Sequence, residues 1–312
     1  VGRLRQEMRV ALSAAVCAAQ AYVQSQPRLP SAATSFPQGQ QDGQKPQGSQ
    51  GWLWVLVTPL VRFFEVVLSR SQATAKALMG ETFAGMSPSD RYSASHWIEL
   101  AQWPVCWAHL KRDLSAIAQR SGGAQTIGES LLRRQRRLFR WWYQVRDGTL
   151  ARPQCSQRVH HLRTGFNAEL AAASALPIEQ QEQTPFAQTV RTCRRLLKIE
   201  PAFWTFGDHA GVEPTNHAAE RALRPAVIWR RTSFGAPSRS GTQFVARMLT
   251  VSASLKAQNR NILDCLTHSI HAARSRSPCI PPPCHCDRLH CQRHRIDLEC
   301  RVIDLECRAI DH

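Results

Sequence analysis

Gly211-Val212-Glu213-Pro214-Thr215-Asn216-His217-Ala218-Ala219-Glu220-Arg221-Ala222-Leu223-Arg224-Pro225 is the stretch on which the reading of this chain turns. Glycine and proline open it, Thr215 or Asn216 is placed to cap a helix over residues 215–223, and Pro225 follows. Helical spacing sets Glu220 about one turn beyond Asn216 and His217, with Arg224 one turn further on the same face. A carboxylate followed by arginines suits a place where a metal-binding acid sits beside a phosphate backbone. An ordinary Glu220–Arg224 ion pair on a solvated face accounts for the same spacing, so the stretch needs its context.

That context is basic. The 312 residues carry 40 Lys and Arg against 23 Asp and Glu, a formal charge of +17, while 43% of residues are hydrophobic. Such a chain is long enough to bury a core without disulfides, and its charge suits a polyanionic partner such as nucleic acid. A generally arginine-rich protein would show the same balance, so motifs must decide. The 11 cysteines are not spaced as a secreted disulfide framework, and no signal peptide is read ahead of them, which predicts a cytoplasmic, nucleoid-associated protein. The longest apolar run, residues 52–60, is too short to span a bilayer, so no membrane contact is expected.

Outward from the Glu220 stretch, the pattern is strands first and helices later, which is an α/β arrangement. Residues 8–24 read as a helix, and residues 1–26 as the helical remnant of a preceding region. Residues 27–50 turn to Pro, Gly, Gln and Ser and read as a loop. Runs 52–58 and 62–69, parted by Pro59, predict an antiparallel hairpin, and 71–79 a helix capped by Ser71. Residues 86–90 read as a short strand ending in an acid, weakened by Pro88, which cannot donate to a central ladder. Residues 105–109 are a strand or the start of the next helix. Helical spacing then runs over 114–192, broken near 147–153 and 176–185, and returns over 241–258. Residues 273–312 hold Cys279, Cys284, Cys286 and Cys291 with His285, His290 and His294, at spacings foreign to common zinc modules. A seven-residue repeat follows over 296–308, either a short heptad helix or a translated tandem repeat, and this tail is expected to be disordered.

The order Trp52-Leu53-Trp54-Val55, Ser89-Asp90-Arg91-Tyr92, Cys106-Trp107-Ala108-His109-Leu110-Lys111-Arg112-Asp113, the Glu220 helix, then Arg230-Arg231-Thr232-Ser233-Phe234-Gly235 resembles the insertion sequence 66 transposases over about residues 8–272. The resemblance implies a ribonuclease-H-like mixed sheet flanked by helices, spanning 51–272 with a helical insertion at about 114–200. It also implies DDE chemistry: two Asp and one Glu gather two divalent ions, Mg2+ or Mn2+, that clamp the attacking and leaving oxygens of a displacement at phosphorus. Carried over, the second acid is Asp90 and the third Glu220. The implied partners are DNA, as element ends and target, and a homo-oligomer or an intact transposase.

The first acid departs from the pattern. Thr34-Ser35-Phe36-Pro37-Gln38-Gly39 reads as the continuation of the family's Asp-Glu-Thr motif, which sets Ala32 and Ala33 in place of the acids. Asp42 lies nearby without a reason to substitute. His217 stands where the family carries a second Asn, and the amino-terminal zinc and helix-turn-helix regions of full-length relatives are not seen. A truncated, impaired copy is expected, with a non-catalytic DNA-binding remnant as the alternative. Arg133, Arg134, Arg136, Arg137 and Arg140, followed by Trp141, Trp142 and Tyr143, are candidate DNA contacts or, equally, the solvent face of an amphipathic helix. Arg221, Arg224, Arg230 and Arg231 are further candidates. Cys106 and His109 are only two ligands and do not make a zinc site, and Asp113 suits an ion pair with a basic neighbour.

Overall fold

Apolar residues on both sides of Pro59 alternate too little to leave a wet face: five of six positions over 52–57 and three of six over 62–67 are buried, and none is exposed. In the computed structural model, which describes residues 2–41, 43 and 50–275, α1 (Gly2–Ala11) and α2 (Ser13–Gln24) precede β1 (Ser31–Ser35) and the hairpin β2 (Trp52–Val57) and β3 (Arg62–Val67). Helices α3 (Gln72–Met79), α4 (Trp107–Ala118), α5 (Gly123–Arg146), α6 (Arg152–Ala175), α7 (Pro185–Lys198) and α8 (Thr205–Asp208) follow. The described chain ends with α9 (His217–Ser233), α10 (Arg239–Ala257) and α11 (Ile262–Ser275). Asp42, the Cys/His cluster and the seven-residue repeat lie outside the described residues. The class is α/β, as expected: eleven helices and one three-stranded sheet among the described residues.

The chain divides into two compact units, one of residues 1–25, 33–69 and 224 onward, the other of residues 26–32 and 70–223. In the first, the sheet has order β1-β2-β3, with β2 and β3 antiparallel in the register Trp52↔Val67 to Val57↔Arg62. The exposed edge of β3 is covered by α10 rather than by another strand. Phe64 N–H donates to Thr250 Oγ1 at 2.9 Å and Arg62 N–H to Ser254 Oγ at 3.0 Å, so two hydroxyls stand in for a ladder neighbour. Leu53, Val55, Leu56, Phe63 and Phe64, which alternate between the two faces of the hairpin, are all buried, as are Val245 and Leu249 of α10.

In the second unit the long basic segment is helical, as the spacing predicts. Leu131, Leu138 and Trp142 on one stripe of α5 join Leu162, Phe166 and Leu170 of α6 and Leu196 of α7 in one core. Trp107, at the start of α4, sits edge-on among Trp204, Phe166 and Phe203 with ring centroids 5.1, 5.5 and 5.9 Å away. Two breaks fall where they were expected: Gly148 takes φ 81° after α5, and Thr184 caps α7 by accepting from Ala187 N–H at 3.1 Å; a third, unforeseen, parts α4 from α5 where Gly122 takes φ 64°. No helix among the described residues is long and apolar enough to cross a membrane.

Three expectations are corrected. The segment 27–50 is not loop throughout, because β1 lies inside it. Its Ser-Ala-Ala-Thr-Ser sequence has little intrinsic strand preference, and pairing with neighbouring backbone decides its state. Helix α9 does not stop at residue 223 but runs through Pro225 to Ser233. Ala219, Ala222, Leu223 and Ala226 are buried along one stripe, and that burial carries the helix past the lost N–H of the proline. The terminal helix reading of 8–24 becomes two helices, α1 and α2, that meet at Leu12.

Candidate functional site

The site of the second unit is built on three extended segments, although only single bridges are regular enough to count as strand pairing. Met86 N–H donates to Pro27 O at 2.8 Å, Leu29 N–H to Met86 O at 2.8 Å, and Ser31 N–H to Pro88 O at 3.1 Å. From the other edge of 86–89, Ser87 N–H donates to Gln102 O at 3.0 Å and Ser89 N–H to Pro104 O at 3.3 Å. Cys106 N–H returns to Ser89 O at 3.1 Å. Both bridges, Arg28↔Met86 and Ser89↔Val105, are parallel. Pro88 is tolerated here for a specific reason. Its missing N–H would have served the Leu29 carbonyl, and the Ser87 hydroxyl donates to that carbonyl instead, at 3.0 Å.

Asp90 follows directly. The residue before it is anchored, since Trp103 Nε1–H donates to Ser89 Oγ at 2.7 Å inside the core. The Asp90 carboxylate accepts from Arg70 Nη2–H at 2.9 Å and from Tyr92 N–H at 3.1 Å, and the Arg70 guanidinium stacks 3.8 Å above the Tyr92 ring. Sequence reasoning missed Arg70, for it lies 20 residues away in no recognisable motif. Arg91 turns from Asp90 to pair with Asp113, the ion-pair role expected of that acid.

Glu220 is carried by the first turn of α9 and reaches the same region because the backbone before α9 is tied down. Trp107 N–H donates to Pro214 O at 2.9 Å, and Asn216 N–H donates to Cys106 Sγ at 3.2 Å. Asn216 is 2% exposed and spends its side-chain amide on Ser31 O at 2.7 Å, not on capping the helix. Its carbonyl accepts the first helical bond, from Glu220 N–H at 3.1 Å. Ala32 therefore stands one residue from a backbone oxygen held by the Glu220 turn. Strand alternation turns its methyl away from the side on which Ser31 meets Ser87.

The Glu220 carboxylate does not pair with Arg224. Its Oε1 lies 3.4 Å from His109 Nδ1, and its Oε2 lies 4.0 Å from His217 Nε2. Neither Glu220 Oε1 nor His109 Nδ1 has a hydrogen-bond partner, and both atoms are shielded from solvent. Burial holds the His109 imidazole below its ordinary pKa, against the opposite pull of Glu220 and, next, of Asp90. One ring thus feels both predicted acids. Burial likewise pushes the Cys106 thiol up, opposed by the backbone N–H groups of Asn216, His109 and Ala108 aimed at its sulfur.

The predicted arginines divide. Arg133, Arg136, Arg137 and Arg140 are exposed along α5, and Arg221, Arg224 and Arg231 are exposed on α9. Arg134 gives its fork to Glu169, with Nε and Nη2 at 2.8 and 2.6 Å from the same oxygen. Arg230 donates to Thr34 Oγ1 at 3.1 Å and to Ser35 O and Oγ at 2.5 and 2.8 Å, clamping β1. Of the three aromatics after the arginines, Trp142 is core, Trp141 half-buried and Tyr143 exposed.

A family model described as the transposase IS66 family matches residues 1–244. No curated protein and no solved structure matches the chain.

Proposed function

The chain belongs to the transposase IS66 family, and from that premise we propose that it handles DNA at the ends and target of a mobile element by a metal-dependent strand cleavage and transfer that is impaired in this copy. Several observations support a ribonuclease-H-like reading of the core. A first strand is followed by an antiparallel hairpin, then by an extended segment that runs parallel to residues 27–31 and ends in Asp90. Glu220 follows after a helical insertion and shares the field around His109 with Asp90.

The acids can be tested against the cations that this chemistry uses. Glu220 fits a ligand, since its Oε1 is shielded and without a hydrogen-bond partner. Asp90 is already neutralised by Arg70, and Ala32 offers a methyl group in place of the carboxylate expected to bridge two ions. The residues thus fit one Mg2+ or Mn2+ on Glu220, which Asp90 would join only on release from Arg70, and they do not fit the pair. A bound ion supplies Lewis-acid stabilisation of charge at phosphorus. The chain's own part is to hold Glu220 on a tied helix turn, to fix Asp90 through Ser89 and Arg70, and to neutralise the DNA backbone with the exposed arginines of α5 and α9.

The observation that carries the impairment is Ala32, and it equally favours the second reading, a non-catalytic remnant that binds DNA or joins an intact transposase as an oligomer. The test compares nicking and strand transfer on DNA bearing the element's ends by this chain and by the Ala32→Asp, Ala33→Glu double variant. The double variant should exceed the unmodified chain by about 10²–10³-fold and lose that gain with Glu220→Gln. Equal activity of the two would overturn the assignment of Ala32. Silence in both, with DNA binding retained, would leave the remnant.

A further inference from the structure

Cys106 and His109 supply two ligands of a metal site, and the fold brings the third. Cys106 caps the N-terminus of α4, His109 lies in its first turn, and Glu220 lies in the first turn of α9. One sulfur, one imidazole nitrogen and one carboxylate oxygen from these residues lie within 4.8 Å of one another. Around tetrahedral zinc, with bonds of about 2.0–2.3 Å, neighbouring ligand atoms sit about 3.3–3.8 Å apart. His109 Nδ1 and Glu220 Oε1 already hold that spacing at 3.4 Å, yet each is shielded from solvent without a hydrogen-bond partner. With all three ligand atoms within 4.8 Å, movements of about 1 Å bring them to that spacing.

We propose that Cys106, His109 and Glu220 form a mononuclear site for a borderline-soft divalent cation of the zinc class, with a fourth position left open. A thiolate and an imidazole select such a cation over magnesium, which demands six oxygens. As the sulfur–metal bond forms, the Cys106 thiol proton leaves to solvent and nothing is oxidised or reduced. The Asn216 N–H that donates to Cys106 Sγ remains as an outer-shell bond that orients the sulfur. Such an ion pins the start of α4 to the start of α9, and it occupies the oxygen of Glu220 that phosphoryl transfer would need. The inference rests on the placement of Glu220, not on catalysis.

The test uses Co2+ as probe in the full chain with Cys279, Cys284, Cys286, Cys291, Cys300 and Cys307 replaced by serine, so that only cysteines before residue 276 contribute thiolate. One equivalent of cobalt should bind with a sulfur-to-cobalt charge-transfer band and the intense visible bands of a four-coordinate ion, and a large excess of Mg2+ should leave the spectrum unchanged. Cys106→Ser should abolish the charge-transfer band. His109→Asn and Glu220→Gln should each weaken cobalt binding at least about tenfold, the lower end of what loss of even an outer-shell partner costs. Cys193→Ser, a buried cysteine outside the cluster, should change nothing. A missing band, or one that survives Cys106→Ser, would overturn the proposal. If Cys106→Ser fails to fold by circular dichroism, unchanged affinity in His109→Asn would overturn it alone. Cobalt bound by a chain whose Ala32→Asp, Ala33→Glu variant cuts no DNA would leave this site standing while the catalytic reading fell.

Discussion

The Leu29 carbonyl is buried and faces a proline that has no N–H to give it. The Ser87 hydroxyl fills that role at 3.0 Å, so Ser87 and Pro88 act as one unit in the ladder beneath Asp90. Ser87→Ala should cost about 1–3 kcal/mol in urea unfolding, the price of an unsatisfied buried acceptor. Pro88→Val in that background should recover much of the loss by restoring an N–H. A neutral Ser87→Ala would show that the carbonyl finds another donor. Glu65 of β3 is a second residue with a measurable signature. Burial pushes its carboxyl up to about 7, opposed chiefly by the Arg247 guanidinium, while the unfolded chain releases that proton near 4.5. Between those values the folded state holds a proton that the unfolded state has lost. The contribution of Glu65 is therefore full at low pH and disappears as pH rises through 7. Because the residue keeps partial exposure, the change should be about 1–2 kcal/mol, read as a fall in unfolding free energy from pH 5 to 7.5 that Glu65→Gln removes.

At the scale of elements, α5 separates two jobs that look identical in sequence. Arg133, Arg136, Arg137 and Arg140 are exposed, whereas Arg134 lies between them and is held by Glu169 of α6. Changing the four exposed residues to glutamine should weaken binding to duplex DNA. It should also flatten the dependence of log K on log salt by about 0.9 for each arginine that meets a phosphate. Arg134→Gln should instead cost about 1 kcal/mol of stability and leave that slope intact. An unchanged slope in the fourfold variant would remove α5 from the DNA surface. Helix α9 teaches a related lesson. Pro225 marks a stop by local rules, yet the small buried residues on its core side continue through it, so the helix delivers Arg230 to the hydroxyls and carbonyl of β1.

Across the whole molecule, the excess of positive charge, the hairpin parted by Pro59, the long helical stretch with two of its three breaks, and the order of the family motifs were all legible in the sequence, since each depends on local pattern. Asp90 and Glu220 could be singled out for the same reason. What the sequence hid are features made by contact between distant segments. Among them are β1 within an apparent loop, hydroxyls of α10 covering the edge of β3, and Arg70 neutralising Asp90. The turn of Glu220 toward His109, and not Arg224, belongs with them. Periodicity records which face of an element is buried, and a motif records which residue types recur together. Neither records which partner a polar group finds across 20 to 196 residues of chain, because that choice is made by desolvation and geometry once the core has closed. The sequence by itself therefore determined the family and the class of fold. Only the tertiary structure decided which arginines are free, what holds each acid, and that a cysteine, a histidine and a glutamate meet.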